Sequence, residues 1–243
     1  MNKNINIPKT NYPAYLSLPN NKEKVSSIIL IHEIWGLNDH IKDVADRFAN
    51  QGYATVAVDL FSDENLGKID QSILLEMQDP DKRDEAQKKM RLALTPMNSP
   101  EFSERMRKKL QEAYEYMINQ DFSNGKVGVI GFCFGGTYSY QLAVDEPNLT
   151  FSIPFYGHAP KDLNDLKKIN CPILAFYGEE DTQLAEEAPK IKEIMDQNNK
   201  EFEYVIYPKT GHAFFNDTNK NMYRKESAED AWKRVLEFLK NKA

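Results

Sequence analysis

Six short stretches of this 243-residue chain are largely apolar on both sides of any pleat they could form. They are Val25–Ile31 (VSSIILI), 54–60 (ATVAVDL), 126–130 (KVGVI), 151–156 (FSIPFY), 172–177 (PILAFY) and 202–207 (FEYVIY). Runs of that length and character suit strands covered on both faces, as in a parallel sheet. Between them lie segments with helical spacing of apolar residues. One spans 38–51, with Asn38 as a candidate cap and Ile41, Val44, Ala45 and Phe48 on one stripe. Another spans 101–119, with Met106, Leu110, Ala113, Tyr114 and Met117; 184–198 and 226–240 read likewise. The alternation predicts an α/β fold: a mostly parallel, doubly wound sheet flanked by helices. In such a sheet the C-terminal ends of the strands share one edge, where ligands bind. An antiparallel edge strand is expected at 12–18, because Pro13 is tolerable at an edge. Residues 61–99 fit no strand; a helix over 80–94 between loops is expected there, in an insertion long enough to shape a pocket. No repeat or low-complexity linker divides the chain, so one domain over 1–243 is expected.

Composition narrows the function. Hydrophobic residues make up 41% and charged residues 28%, enough to build a core. The net charge of −6 disfavours a surface that tracks phosphates, so no nucleic-acid partner is expected. Residues 1–12 are rich in Asn and Lys and lack the apolar stretch of a secretory signal. No apolar run approaches a membrane span, and the two cysteines, Cys133 and Cys171, form no CxxC. A cytoplasmic protein away from the membrane is expected. The four histidines, His32, His40, His158 and His212, have no metal-ligand spacing, and no metal or other cofactor is expected.

The densest chemical signal is KVGVIGFCFGG at 126–136, a strand running into Gly-x-Cys-x-Gly-Gly. This is the nucleophile-elbow pattern of a strand-to-helix turn, with Cys133 in the place more often held by serine. Cβ atoms at Gly131 and Gly135 would clash in so tight a turn. A nucleophile there needs an acid and then a histidine further along the chain. Asp181 follows the strand at 172–177, and His212 follows the strand at 202–207; both fall on the edge that carries Cys133. Glu179 and Glu180 are neighbouring rivals to Asp181, whereas His212 alone among the histidines follows it. The run His32-Glu33-Ile34-Trp35-Gly36-Leu37 directly follows the first core strand. An α/β-hydrolase takes one oxyanion-hole amide from that loop and the other from the residue after the nucleophile, here Ile34 and Phe134. Glu33, near the same edge, could hold or accept the thiol proton.

Together HEIWGL at 32, YATVAVDLF at 53, SNGKVGVIGFCFGG at 123, YGEED at 177 and GHAFFND at 211 resemble the dienelactone hydrolase (carboxymethylenebutenolidase) family over about 12–239. The resemblance implies an α/β-hydrolase fold with no large lid domain and hydrolysis of a lactone or small ester without a cofactor. It implies a nucleophile at Cys133, a base and acid at His212, an orienting carboxylate at Asp181, and a Glu33 that contacts the thiol. It further implies arginines for a substrate carboxylate, one of them shortly after the histidine. Here Phe215 and Asn216 stand there instead, and no arginine occurs before Arg224. Arg83 and Arg91 are both candidates for the other arginine, and Tyr156 and Trp35 join them as candidate substrate contacts. A small lactone or ester is the expected partner of a monomer or homodimer. Two rival readings stand beside this one. The first is a catalytically weak scaffold that binds a small ligand or protein; the second is a redox-responsive thiol at Cys133, for which Cys171 looks too buried to act as partner.

Overall fold

Strand pairing follows the apolar runs. The computed structural model describes residues 1–20, 23–62, 73, 76, 79 and 81–243, apart from the side chain of Arg83. Its strands are β1 (Asn2–Ile7), β2 (Tyr12–Ser17), β3 (Val25–Ile31), β4 (Ala54–Val58), β5 (Ser123–Phe132), β6 (Ser152–Phe155), β7 (Ile173–Gly178) and β8 (Phe202–Tyr207). They form one sheet in the order β1-β2-β4-β3-β5-β6-β7-β8. In this order the neighbours from β4 to β8 pair in parallel, while β2 pairs antiparallel with both β1 and β4. The C-terminal ends of β3 to β8 therefore share one edge, as the alternation of elements requires. Ile28 to Ile31 in β3 and Val56 to Val58 in β4 are fully buried, which is why these strands carry apolar residues on both faces.

The outermost strand is β1 rather than the one at 12–18. Ile5 and Ile7 alternate with asparagines, and Ile7 is fully buried. That two-residue period is a half-buried strand inside a stretch whose polar composition hides it. Pro13 consequently sits inside the sheet, paired with Asn6. Its carbonyl accepts the Asp59 N–H at 3.0 Å, just beyond the last paired residue of β4. A strand residue points its N–H and C=O to the same side, so the missing proline donor falls where the ladder with β4 has ended.

The helices are α1 (Asp39–Asn50), α2 (Arg83–Leu94), α3 (Pro100–Ile118), α4 (Phe134–Asp145), α5 (Thr182–Gln197) and α6 (Lys225–Lys242). The helix expected over 80–94 begins at Arg83, and residue 80 lies outside the described residues. Helices α1 and α6 meet through the rings of Phe48 and Trp232, 4.7 Å apart. Helix α3 packs on α4, and α5 packs on a 3-10 turn at Leu163–Lys168 that also touches α4. Near the active edge, the buried Lys109 of α3 donates from Nζ to the Leu60 carbonyl at 2.8 Å. Tyr12 donates to the Lys109 carbonyl at 2.6 Å, tying α3 to β2 and to the end of β4.

Asn38 caps α1: its Oδ1 accepts the Ile41 N–H at 3.1 Å. Replacing it with Ala strands that donor and is expected to cost about 1 kcal/mol. Urea unfolding checks this: the midpoint falls while the m-value holds.

Candidate active site

One residue separates β5 from α4. Cys133 makes that turn alone, with φ at +56° and ψ at −112°, a region that side chains rarely occupy. The two glycines make room for it. A Cβ at Gly131 would lie 2.1 Å from the Gly135 carbonyl oxygen, and one at Gly135 would lie 2.3 Å from the Ile31 carbonyl oxygen. With neither present, α4 starts against the end of β3, where the Gly135 N–H donates to the His32 carbonyl at 3.1 Å. The Cys133 N–H donates to the Phe155 carbonyl at 3.0 Å, which fixes the turn to β6. The result is a partly exposed thiol at a helix N-terminus, where the macrodipole favours negative charge.

The loop after β3 is held from beneath by His32. Burial lowers its imidazole pKa to about 4, so the ring is neutral. Its Nε2 accepts the Leu60 N–H at 3.1 Å, which places the ring proton on Nδ1. That nitrogen lies 2.6 Å from the Glu33 carbonyl and donates to it. The same carbonyl accepts the Gly36 N–H at 3.2 Å, closing a turn that carries the partly buried Ile34 and Trp35. Gly36 has φ of +75°, which glycine adopts without strain. Among the described residues, the amides of Ile34 and Phe134 donate no hydrogen bond.

Asp181 and His212 meet as their positions after β7 and β8 require. His212 Nδ1 lies 2.5 Å from Asp181 Oδ2. Asp181 is the N-cap residue of α5, yet its side chain makes no cap bond because it is turned to the histidine. Glu179 accepts the Lys209 N–H at 3.0 Å instead, and the Glu180 N–H donates to the Thr210 carbonyl. Burial opposes charge on the His212 ring. The Asp181 hydrogen bond, then the hydrogen bond and charge of Cys133, outweigh it and raise the imidazole to about 10. His212 is thus hydrogen-bonded to Asp181 and feels the charge of Cys133.

Glu33 lies beside them and is almost fully buried. Its Oε2 accepts from Asn216 Nδ2 at 2.7 Å, and the Tyr156 hydroxyl stands 3.5 Å from Oε1, at the limit of hydrogen-bond length. Burial raises the Glu33 pKa, and Asn216, the charge of His212 and Tyr156 pull it back in part. Tyr156 has φ of +37° and sets its ring 4.9 Å from that of His212. The role of Asn216 as the partner of Glu33 was not legible in sequence. The two are 183 positions apart, and the one signal was that Asn216 lies in the loop of His212.

A cavity of about 880 Å³ opens beside the N-terminus of α4. Phe134 and Tyr138 form one wall, and Met97 to Pro100, the end of the insertion, form another. His158 is exposed on its rim, 3.5 Å from Glu187. Arg91 is exposed on α2 and neither it nor Trp35 lines this cavity, while the Arg83 side chain lies outside the described residues. His40 is buried on α1 with its Nδ1 3.3 Å from Asp217 and its ring 6.5 Å from that of Phe132. Cys171 precedes β7 and so sits at the edge opposite Cys133, about a strand length away at roughly 3.3 Å per residue. Burial pushes its thiol up to about 12, and neither cysteine is in a disulfide. Among the described residues no three acidic, histidine or cysteine side chains come together as a metal site, and no helix is long and apolar enough to cross a membrane.

The profile of the dienelactone hydrolase family matches residues 12–243. This chain belongs to the dienelactone hydrolase family. A relative from Saccharolobus solfataricus, named "Putative carboxymethylenebutenolidase", is 38% identical, with 93% of each chain covered. A Bradyrhizobium relative, named "Probable 2-oxo-3-(5-oxofuran-2-ylidene)propanoate lactonase", is 27% identical, with 93% of this chain and 88% of its own covered. Among solved structures, a dienelactone hydrolase-like promiscuous phosphotriesterase from metagenomic libraries superposes with a TM-score of 0.81. It is 20% identical, with 99% of this chain and 98% of its own covered. The expected α/β-hydrolase fold is therefore the fold of this family, and membership makes the protein a dienelactone hydrolase-like hydrolase.

Two outcomes are expected from this geometry. Gly135→Ala drives a methyl group into β3 backbone and should cost several kcal/mol or abolish soluble expression, as read by thermal melting. For His212, the folded pKa is raised above the unfolded value near 6.5. Its contribution to stability is therefore complete below that pH and is lost as pH rises through about 10. Asp181→Asn should lower the His212 titration seen by NMR and flatten the loss of stability between those limits.

Proposed function

We propose that the protein hydrolyses a lactone or small carboxylic ester through a covalent thioester at Cys133. The observation that carries this reading is the strained, partly exposed Cys133 at the start of α4, within electrostatic reach of a His212 that Asp181 holds at 2.5 Å. The raised pKa of His212 favours an imidazolium in the resting site. The thiolate attacks the ester carbonyl, and the unengaged amides of Ile34 and Phe134 receive the oxyanion. As the C–O bond breaks, the imidazolium gives its proton to the leaving oxygen. The neutral imidazole then takes a proton from water, whose oxygen attacks the thioester carbonyl. The C–S bond breaks, the acid departs and sulfur returns as thiolate beside the recharged His212. Glu33, whose pKa burial has raised, takes the thiol proton whenever sulfur starts out protonated. The lactone or ester class agrees with the names of the relatives.

Cys133→Ala should reduce kcat/KM for an activated aryl ester by at least about a thousandfold, with the circular dichroism spectrum unchanged. Mass spectrometry of quenched wild-type enzyme should find the acyl group on the peptide containing Cys133. Turnover that survives the substitution would overturn the reading.

A further inference from the structure

Two loops meet at Glu33. One leaves β3, carries Glu33 itself and runs through the Asn38 cap into α1. The other leaves His212 and brings Asn216, whose Nδ2 donates to Glu33 Oε2 at 2.7 Å. Packing holds the first half of that second loop: Phe214 and Phe215 are buried, and the Phe215 ring stacks at 5.2 Å on that of Phe132, next to Cys133. Its second half is a polar turn. Asn216 Oδ1 accepts the Thr218 N–H at 3.1 Å and the Thr218 hydroxyl at 2.7 Å. The Asn219 N–H donates to the Asn216 carbonyl at 3.1 Å. These bonds shape the turn without attaching it to the body of the protein.

Asp217 makes the attachment. Arg47 Nη2 donates to Asp217 Oδ2 at 2.7 Å, and His40 Nδ1 lies 3.3 Å from Asp217 Oδ1. Both partners are on α1. Asp43, one helical turn before Arg47, lies 2.5 Å from the same guanidinium nitrogen, so the arginine is steadied by its own helix. A ring of contacts closes in this way. It runs from Glu33 along its loop to α1, from Arg47 to Asp217, and from the adjacent Asn216 back to Glu33. Both ends of the Asn216–Glu33 bond are thereby referenced to a single helix.

We infer that Arg47 is a positioning residue for the hydrolytic reaction: through Asp217 it holds Asn216, and so keeps Glu33 in the place from which it serves Cys133. This rests on the hydrolase reading above, in which Glu33 takes the thiol proton. The Arg47 and Asp217 side chains are 38% and 35% exposed, and ion pairs of that exposure add little to global stability. Loss of the pair is therefore felt as a displaced turn and not as unfolding. A displaced proton acceptor is costly, because a shift of about 1 Å far from the chemistry can lower the rate by up to about a hundredfold.

The test is a double-mutant cycle on kcat/KM for p-nitrophenyl acetate, with Arg47→Met and Glu33→Gln made singly and together. Arg47→Met keeps the aliphatic stem and removes the charge; it is expected to lose roughly tenfold with a nearly unchanged melting temperature. Glu33→Gln should lose at least as much, and the double variant no more than Glu33→Gln alone, because the arginine acts through the glutamate. Arg47→Lys, which can still donate to Asp217, should recover most of the loss. Should Arg47→Met fail to fold, Asp217→Ala takes its place in the cycle. Where turnover by Glu33→Gln is too slow to measure, the same pattern is expected in the rate of Cys133 alkylation by iodoacetamide at neutral pH. Losses that multiply in the double variant, or full activity in folded Arg47→Met, overturn the inference and leave the hydrolase reading intact. Full activity in Glu33→Gln overturns the role of Glu33, and this inference with it. Absence of turnover by the wild type overturns the hydrolase reading and everything resting on it.

Discussion

A helix can start one residue after a strand ends only if the chain around the turn is stripped of side-chain bulk. The rest of the site depends on that contact between α4 and β3. Gly131 and Gly135 let the helix backbone reach the Ile31 and His32 carbonyls, and Cys133 is pushed into positive φ as the remaining link. The Gly135 hydrogen bond to His32 also places the first turn of α4 next to the loop that carries Glu33 and Ile34. Without the close approach there is no exposed sulfur at the helix end and no pair of amides on either side of it.

Local stability has been given up around this contact in identifiable ways. Asp181 begins α5 without capping it, leaving helix donors without their usual partner so that its carboxylate can reach His212. Glu33 is removed from water with neutral hydrogen bonds as its direct partners, which disfavours its charged form. Tyr156 joins Cys133 among the non-glycine residues at positive φ. These departures from local preference gather at one sheet edge, where substrate-facing groups belong, and the buried strands behind them conform to their propensities.

Much of this was legible in the sequence because two periodicities and a glycine spacing carry it. Uniformly apolar runs reported strands covered on both faces, and strand polarity then placed Cys133, Asp181 and His212 on a single edge. The near-complete burial of Val25–Ile31 and Ala54–Val58 follows from the same rule. The first strand was hidden because Ile5 and Ile7 are its only inward apolar residues among asparagines, and tertiary pairing with β2 supplies what propensity lacks. The Asn216–Glu33 bond was hidden for a different reason. Contacts between loops 183 positions apart leave no spacing signature, and an asparagine in a loop carries many meanings. His32 shows the limit from the other side: a histidine beside the active loop proves to be a neutral buried strut joining Leu60 to Glu33.

The parallel sheet also keeps the two sulfurs apart. Cys133 stands beyond the C-terminal end of β5 and Cys171 ahead of the N-terminal end of β7, so the thickness of the sheet edge-to-edge lies between them. One sulfur is partly open to solvent, and the other is sealed in the core with its proton firmly held. A thiol-directed electrophile arriving from solution therefore meets one addressable thiol per chain. Counting the label on that thiol counts the chains in a preparation, with Cys171 left unmarked while the fold holds.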